Sequence, residues 1–200
     1  MTFNYYTAVG SRETPVDIQI HMMRVAKRLR ELEWVFRSGK AAGADAAFQV
    51  GAQTHLRADY DGTFGEVYKP WKSFQTAPDS RTFDNEDGHT LWDWWDIDAS
   101  KLPNWKEAQE IASNIHPAWD KLKTGAKALH SRNVYQVLGK DLNTPSKFLV
   151  CYSKPSGQSV SGGTRTAYEL ARSYNIPCFN YATMSPLEIG EQIKLIIEGK

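Results

Sequence analysis

The sequence predicts an α/β fold in which a parallel sheet of about five strands is flanked by helices. Short apolar runs typical of buried strands alternate along the chain with amphipathic helical patterns. This alternation favours parallel pairing through right-handed crossovers, which gives a Rossmann-like sheet. With 200 residues, 41% of them hydrophobic and 24% charged, the chain is long enough for one globular domain over residues 1–200.

The predicted strands occupy residues 5–9, 33–37, 65–71, 148–153 and 177–181, the third being the weakest pattern. A first helix is predicted from Pro15, because apolar residues recur there at spacings of four and three up to Leu32. Further helices are predicted at residues 44–55, 166–174 and 186–198. The segment 105–139 is also helical in pattern, with a break at Pro117.

A Trp-rich insertion, residues 71–127, interrupts this alternation. Two roles are open: a lid that stacks Trp92, Trp94 or Trp95 on a base, or an arm at a subunit interface. Metal binding by Asp84, Asp87 and His89 is a less favoured interpretation than a solvated acidic loop. We therefore predict no metal site.

The composition and residue patterns of the chain restrict the kinds of partner and the cellular compartment that it is expected to have. The formal net charge is +1, with 24 basic and 23 acidic side chains, so bulk charge gives no support for nucleic-acid binding. We find neither a signal-peptide pattern nor an apolar run of membrane-spanning length. Cys151 and Cys178 have the spacing of neither a redox pair nor a zinc site. These features predict a cytoplasmic protein with reduced thiols and no membrane partner, and they argue against a nucleic-acid partner without excluding a local basic groove.

Two loops that follow predicted strands carry candidate ligand-binding residues, because ligands of open α/β sheets bind at the carboxyl ends of the strands. The first contains Gly10, Ser11 and Arg12, and the second contains Ser38, Gly39, Gly43 and Asp45. Glycine allows close backbone approach, and arginine can pair with a phosphate or carboxylate. Ordinary strand-to-helix turns, with Asp45 as a favourable helix-start charge, remain the alternative.

A third loop has the composition of an anion site. Gly162, Gly163, Thr164, Arg165 and Thr166 precede a helix that contains Glu169. Unpaired N–H groups at a helix start, together with hydroxyls and a cation, favour an anion.

A polar helix contributes the last candidates. His130, Arg132 and Asn133 crowd polar groups into the run "ALHSRNVYQVLG". His130 alone is typical of a structural histidine, whereas the adjacent Arg132 and Asn133 suggest a ligand site.

Taken together, these motifs resemble the SLOG superfamily, which includes LOG-type phosphoribohydrolases and the DNA-processing protein A group. The run "GGTRTAYE" (162–169) matches the LOG loop Gly-Gly-x-Gly-Thr-x-x-Glu except at Arg165, and "LHSRN" (129–133) is similar to its Met-His-x-Arg-Lys segment. The resemblance covers residues 4–69 and 128–181. The long insertion of this chain suggests a phage-encoded branch of the superfamily.

The resemblance implies a nucleotide-like ligand with its phosphate on residues 162–166 and its ribose near Glu169. It further implies hydrolysis of the N-glycosidic bond of a nucleoside 5′-monophosphate, with Arg132 and Glu169 catalytic, no cofactor, and a homodimer. Arg165 replaces a glycine of the family loop and Asn133 replaces a lysine, so the phosphate contacts differ. A nucleotide sensor that releases its ligand unchanged, and a module binding single-stranded DNA, remain alternatives.

Overall fold

The computed structural model describes residues 3–53, 65–74 and 95–200, and its centre is a six-stranded parallel sheet. The strands among the described residues are β1 (Tyr5–Gly10), β2 (Val35–Ser38), β3 (Gly65–Lys69), β4 (Asp96–Asp98), β5 (Leu149–Tyr152), β6 (Pro155–Ser156), β7 (Ser159–Val160) and β8 (Cys178–Asn180). In the sheet their order is β4-β3-β2-β1-β5-β8, while β6 and β7 form a small antiparallel hairpin. The predicted Rossmann-like class is confirmed.

The strand order contains one reversal. The chain builds outward from β1 through β2, β3 and β4, and then returns to place β5 on the other side of β1. Thr7 of β1 is in register with Arg37 of β2 and with Leu149 of β5. In sheets of this kind, the crevice beyond the carboxyl ends of the two strands at the reversal is where ligands bind.

Two helical layers cover the sheet. The helices are α1 (Val16–Glu31), α2 (Ala44–Gln53), α3 (Trp105–Ile115), α4 (Thr124–Leu138), α5 (Arg165–Ser173) and α6 (Pro186–Ile197). Side chains of α1, α2 and α6 pack with Tyr6, Ala8 and Val150 on one face. Those of α3, α4 and α5 pack with Val9, Leu149 and Cys151 on the other. Alternation along β1 and β5 thus divides the core into two halves, as a strand period of two requires.

Local chemistry fixes several helix limits close to their predicted positions. Helix α6 begins with a capping box, in which Ser185 and Glu188 exchange side-chain and backbone hydrogen bonds around Pro186, the first helical residue. The predicted break at Pro117 separates α3 from α4. The helix predicted over 44–55 is described as far as Gln53.

Part of the predicted insertion belongs to the sheet and core. Strand β4 pairs with β3 and so adds a sixth strand to the five predicted, and α3 packs on α4. Trp95 is buried, with its ring centroid 5.2 Å from that of Phe36, so it is a core residue and does not stack on a base. Trp92, Trp94, Asp84, Asp87 and His89 lie outside the described residues. The lid and interface-arm roles of the insertion stay predictions.

Two kinds of feature are absent from the described residues. Within them, no helix combines the length and the apolar character needed to cross a membrane. In the same residues, no cluster of three or more His, Cys, Asp or Glu side chains could hold a metal ion.

Candidate functional site

A cavity of about 540 Å³ lies at the carboxyl ends of β1 and β5, at the reversal of strand order. Its walls come from the loop after β1, the start of α2, the middle of α4, and the segments after β5 and β7. It brings together many of the predicted ligand-binding residues, namely Gly10, Ser11, Arg12, Asp45, Arg132, Asn133, Gly162, Gly163 and Thr164.

Asp45 ties the first two loops together. Its Oδ1 accepts a hydrogen bond from the Gly10 N–H at 3.0 Å, and its Oδ2 accepts one from the Ala41 N–H at 3.3 Å. The chain reaches this position through Gly43, whose φ of +77° lies in the left-handed region that favours glycine. Burial raises the pKa of the Asp45 carboxyl to about 6, although Arg132 and the backbone N–H groups oppose this rise. The Asp45 carboxyl group in the cavity wall is therefore protonated more readily than an ordinary aspartate.

Arg132 places a buried cation in the same wall. The residue is only 5% exposed, and burial lowers the pKa of its guanidinium to about 10. Its Nη1 lies 3.9 Å from Asp45 Oδ2, beyond hydrogen-bonding distance, and its Nε is buried without a hydrogen-bond partner. The Arg132 side chain also lies over the ring of Phe74, with 5.8 Å between Cζ and the ring centroid. The Asp45 carboxylate therefore only partly neutralises this cation.

The amide of Gln136, one turn along α4, completes the network around Arg132. Oriented to suit its neighbours, its oxygen accepts from Arg132 Nη1 at 2.6 Å and from the Gly39 N–H at 3.0 Å. Its nitrogen donates to Asn133 Oδ1 at 3.1 Å. Gly39 itself passes under the guanidinium, since a Cβ there would lie 1.2 Å from Arg132 Nη1. Gly39, the residue after β2, thus leaves room for the guanidinium of Arg132, which belongs to α4.

The turn before α5 closes the cavity on its other side. Gly162 and Gly163 are exposed, Thr164 is buried, and Asn133 Nδ2 donates to the Gly163 carbonyl at 2.6 Å. The rim carries exposed Arg12 and an exposed ion pair in which Lys154 Nζ lies 3.6 Å from Glu13. Backbone N–H groups at a helix start, a buried arginine and further rim cations together suit an anionic ligand group.

Several predicted site residues lie outside the cavity lining. Ser38 is buried at the end of β2, and Gly39 and Gly43 shape the loops without lining the cavity. Thr166 is hydrogen-bonded to His130 instead, with 2.7 Å between Oγ1 and Nδ1, and Arg165 is not among the lining residues either.

Glu169 also lies away from the cavity. The resemblance implies a ribose near Glu169, but Glu169 Oε1 lies 3.7 Å from Nη1 of Arg172, one turn along α5. The carboxylate closest to Arg132 among the described residues with ion pairs is Asp45. The catalytic roles of Arg132 and Glu169 stay predictions.

The cavity includes residues that the sequence analysis did not select, among them Phe74, Gln136, Ser153 and Lys154. Gln136 follows Arg132 by four residues and Asn133 by three, so helical spacing could have identified it. Ser153 and Lys154 follow β5 directly and obey the same strand-end rule as the selected loops. No sequence signal singles out Phe74.

The fold and site define an α/β protein with a Rossmann-like parallel sheet and a polar cavity at its strand reversal. No family model matches the chain, and no curated protein matches it in sequence. It is similar to a solved structure of DNA processing protein A from Helicobacter pylori, a protein described there for its single-stranded DNA binding mode. The two chains share 16% identity at a TM-score of 0.39, over 96% of this chain and 80% of that chain. Membership of the SLOG superfamily and of its phage-encoded branch stays a prediction.

Proposed function

We propose that the protein binds a nucleotide or nucleotide-derived metabolite in the cavity at the strand reversal. The observation that carries this proposal is Arg132, a cation of the cavity wall whose buried Nε has no hydrogen-bond partner in the described structure. A buried cation with unmet donors is costly, and an anionic ligand would supply the acceptors.

A phosphate group suits this arrangement. The guanidinium fork pairs well with phosphate oxygens, and the turn Gly162–Thr164 sets the start of α5 beside it. Asp45 stands too far from Arg132 to take up its hydrogen bonds, so a phosphate would not have to displace a tight ion pair.

The remaining walls suit the rest of a nucleotide. A volume of about 540 Å³ is within the usual range of small-molecule sites. Ser11, Ser153 and Ser161 in the lining offer hydroxyls and backbone groups of the kind that contact a sugar, and Val9 and Leu129 add apolar surface.

The proposal is tested by calorimetry with a panel of nucleoside 5′-monophosphates. We expect binding by the wild type and a loss of about 10- to 100-fold in affinity for Arg132→Gln, since a charge-assisted hydrogen bond contributes about 1.5–3 kcal/mol. Arg28→Gln, which removes an exposed arginine of α1, is the matched control and should bind normally. Equal affinity in wild type and Arg132→Gln would overturn the proposal.

Hydrolysis of the N-glycosidic bond is the finer part of the proposal and has a separate readout. The same incubations are analysed by chromatography for free base. Release of base supports a phosphoribohydrolase, whereas tight binding with ligand recovered unchanged supports a nucleotide sensor.

Single-stranded DNA is the competing ligand class. A salt-dependent gel shift that is lost on changing Arg12 or Arg165, in a protein that binds no mononucleotide, would favour the DNA-binding alternative. The near-neutral net charge of +1 favours the small ligand.

A further inference from the structure

Two histidines and an arginine form a cluster that the cavity does not use. His116 follows the end of α3, His130 belongs to α4, and Arg165 is the first residue of α5. The two imidazole centroids are 4.4 Å apart at an interplanar angle of 53°. We call these three residues the imidazole cluster. None of them lines the cavity.

Within the described residues, the charges that shift the pKa values of the two imidazoles are positive. Burial and the charge of Arg165 lower the pKa of His116. Burial, His116 and Arg132 lower the pKa of His130 to about 4. Arg165 has no ion pair within the described part of the chain, and its Nε is buried without a hydrogen-bond partner. The elements packed here, α3, α4 and α5, therefore bring together cationic or protonatable groups without a described carboxylate to balance them.

The hydrogen bonds of the cluster leave donors available. Nδ1 of His116 accepts from the Ala118 N–H at 3.3 Å, so the neutral ring carries its proton on Nε2. Nδ1 of His130 is bonded to Oγ1 of Thr166 at 2.7 Å, and in the imidazolium form its Nε2 carries a proton and can donate. Together with the guanidinium of Arg165, these groups are complementary to an oxyanion.

We propose that His116, His130 and Arg165 form a second anion-binding site, which takes a phosphate group. Arg165 would pair with two phosphate oxygens, and the imidazole N–H groups would donate to the remaining ones. This site does not depend on the proposed nucleotide cavity.

The test is an NMR pH titration of the imidazole C2–H signals, in orthophosphate and in chloride at equal ionic strength. A bound phosphate anion stabilises the imidazolium forms, so orthophosphate should raise the pKa of His116 and His130 by about one unit. His21 on α1 is the internal control and should not respond. Arg165→Ala should abolish the response, whereas Arg172→Ala, which removes an equal charge from the same helix, should keep it. No response in the wild type, or an equal response in Arg165→Ala, would overturn the proposal.

A second arm identifies the source of the phosphate. If orthophosphate still raises the imidazole pKa values when the cavity is saturated with a nucleoside monophosphate, the imidazole cluster binds a separate anion. If the mononucleotide blocks orthophosphate and Arg132→Gln restores it, one ligand reaches both places. Failure of the nucleotide proposal has a different signature, because mononucleotides would then not bind while the imidazole response to orthophosphate persisted.

Discussion

Arg132 can occupy the cavity wall only because residue 39 lacks a side chain. The guanidinium takes the volume in which a Cβ of residue 39 would lie, and Gln136 bonds both the Gly39 N–H and Arg132. The end of β2 and the middle of α4 are thereby joined at one point. The position of the cation is therefore set by packing as well as by charge.

Replacing Gly39 with alanine should displace Arg132. A Cβ placed 1.2 Å from Nη1 forces the side chain to move, so we expect nucleotide affinity to fall about as far as in Arg132→Gln. Overpacking of this kind costs about 1–3 kcal/mol of the free energy of unfolding. Calorimetry and urea denaturation measure the two effects. Gly190→Ala on α6, where a Cβ meets nothing within 4 Å, is the control, and unchanged affinity in Gly39→Ala would contradict the prediction.

Glu169→Gln separates ligand binding from chemistry. Because the Glu169 carboxylate contacts Arg172 and does not line the cavity, we expect nucleotide affinity to stay within about twofold of wild type, as for a surface ion pair. The resemblance to LOG-type enzymes predicts that any release of free base is abolished. Calorimetry and base chromatography on one preparation test both, with exposed Glu191→Gln as the control. A large loss of affinity would instead place Glu169 at the ligand.

Among the elements, α4 connects the two halves of the site. It carries Arg132 and Gln136 to the end of β2, and Asn133 to the turn that precedes α5. Its next residues, Val134 and Tyr135, are fully buried in the core. Helix α4 thus anchors the cavity wall on the sheet and also positions the turn Gly162–Thr164.

The bond from Asn133 to the Gly163 carbonyl should order that turn. In Asn133→Ala we expect faster amide hydrogen exchange at residues 162–164, by about 2- to 10-fold, because a net hydrogen bond contributes about 0.5–1.5 kcal/mol. Exposed Asn114→Ala on α3 is the matched control. Unchanged exchange at the turn would show that α5 itself, and not α4, orders it.

The sequence predicted the alternating elements well because their apolar runs are long enough to show a period. Strand β4 was not predicted because it has only three residues, and the two that flank Ile97 are aspartates. The direction of Glu169 could have been predicted, because Ala167, Leu170 and Ala171 define the buried face of α5 and Glu169 lies off that face. The fit of Arg132 over Gly39 joins distant parts of the chain and becomes visible only once they are folded.

At the scale of the whole molecule, each of the two helical layers contains a buried titrating group, and burial shifts the pKa values of these two groups in opposite directions. Asp45 begins α2, in the layer with α1 and α6, and burial raises its pKa. His130 belongs to α4, in the other helical layer, and burial lowers its pKa. Since both groups are held closer to neutrality than in the unfolded chain, acidification has opposite effects on stability through the two sites.

Acid should weaken the fold through His130. Its pKa is 6.5 when unfolded and about 4 when folded, so between these values the unfolded chain binds more protons. The stabilisation is complete above pH 6.5 and falls as the pH drops towards 4, by on the order of 2 kcal/mol at about pH 5. Urea denaturation in phosphate-free chloride buffer at about pH 7 and pH 5 measures this loss. His130→Gln lacks the titrating group and should lose less free energy of unfolding between the two pH values, whereas His21→Gln should lose as much as the wild type. Asp45 acts in the opposite direction and is present in all three proteins, so an equal loss in His130→Gln and wild type would show that His130 titrates normally in the folded protein.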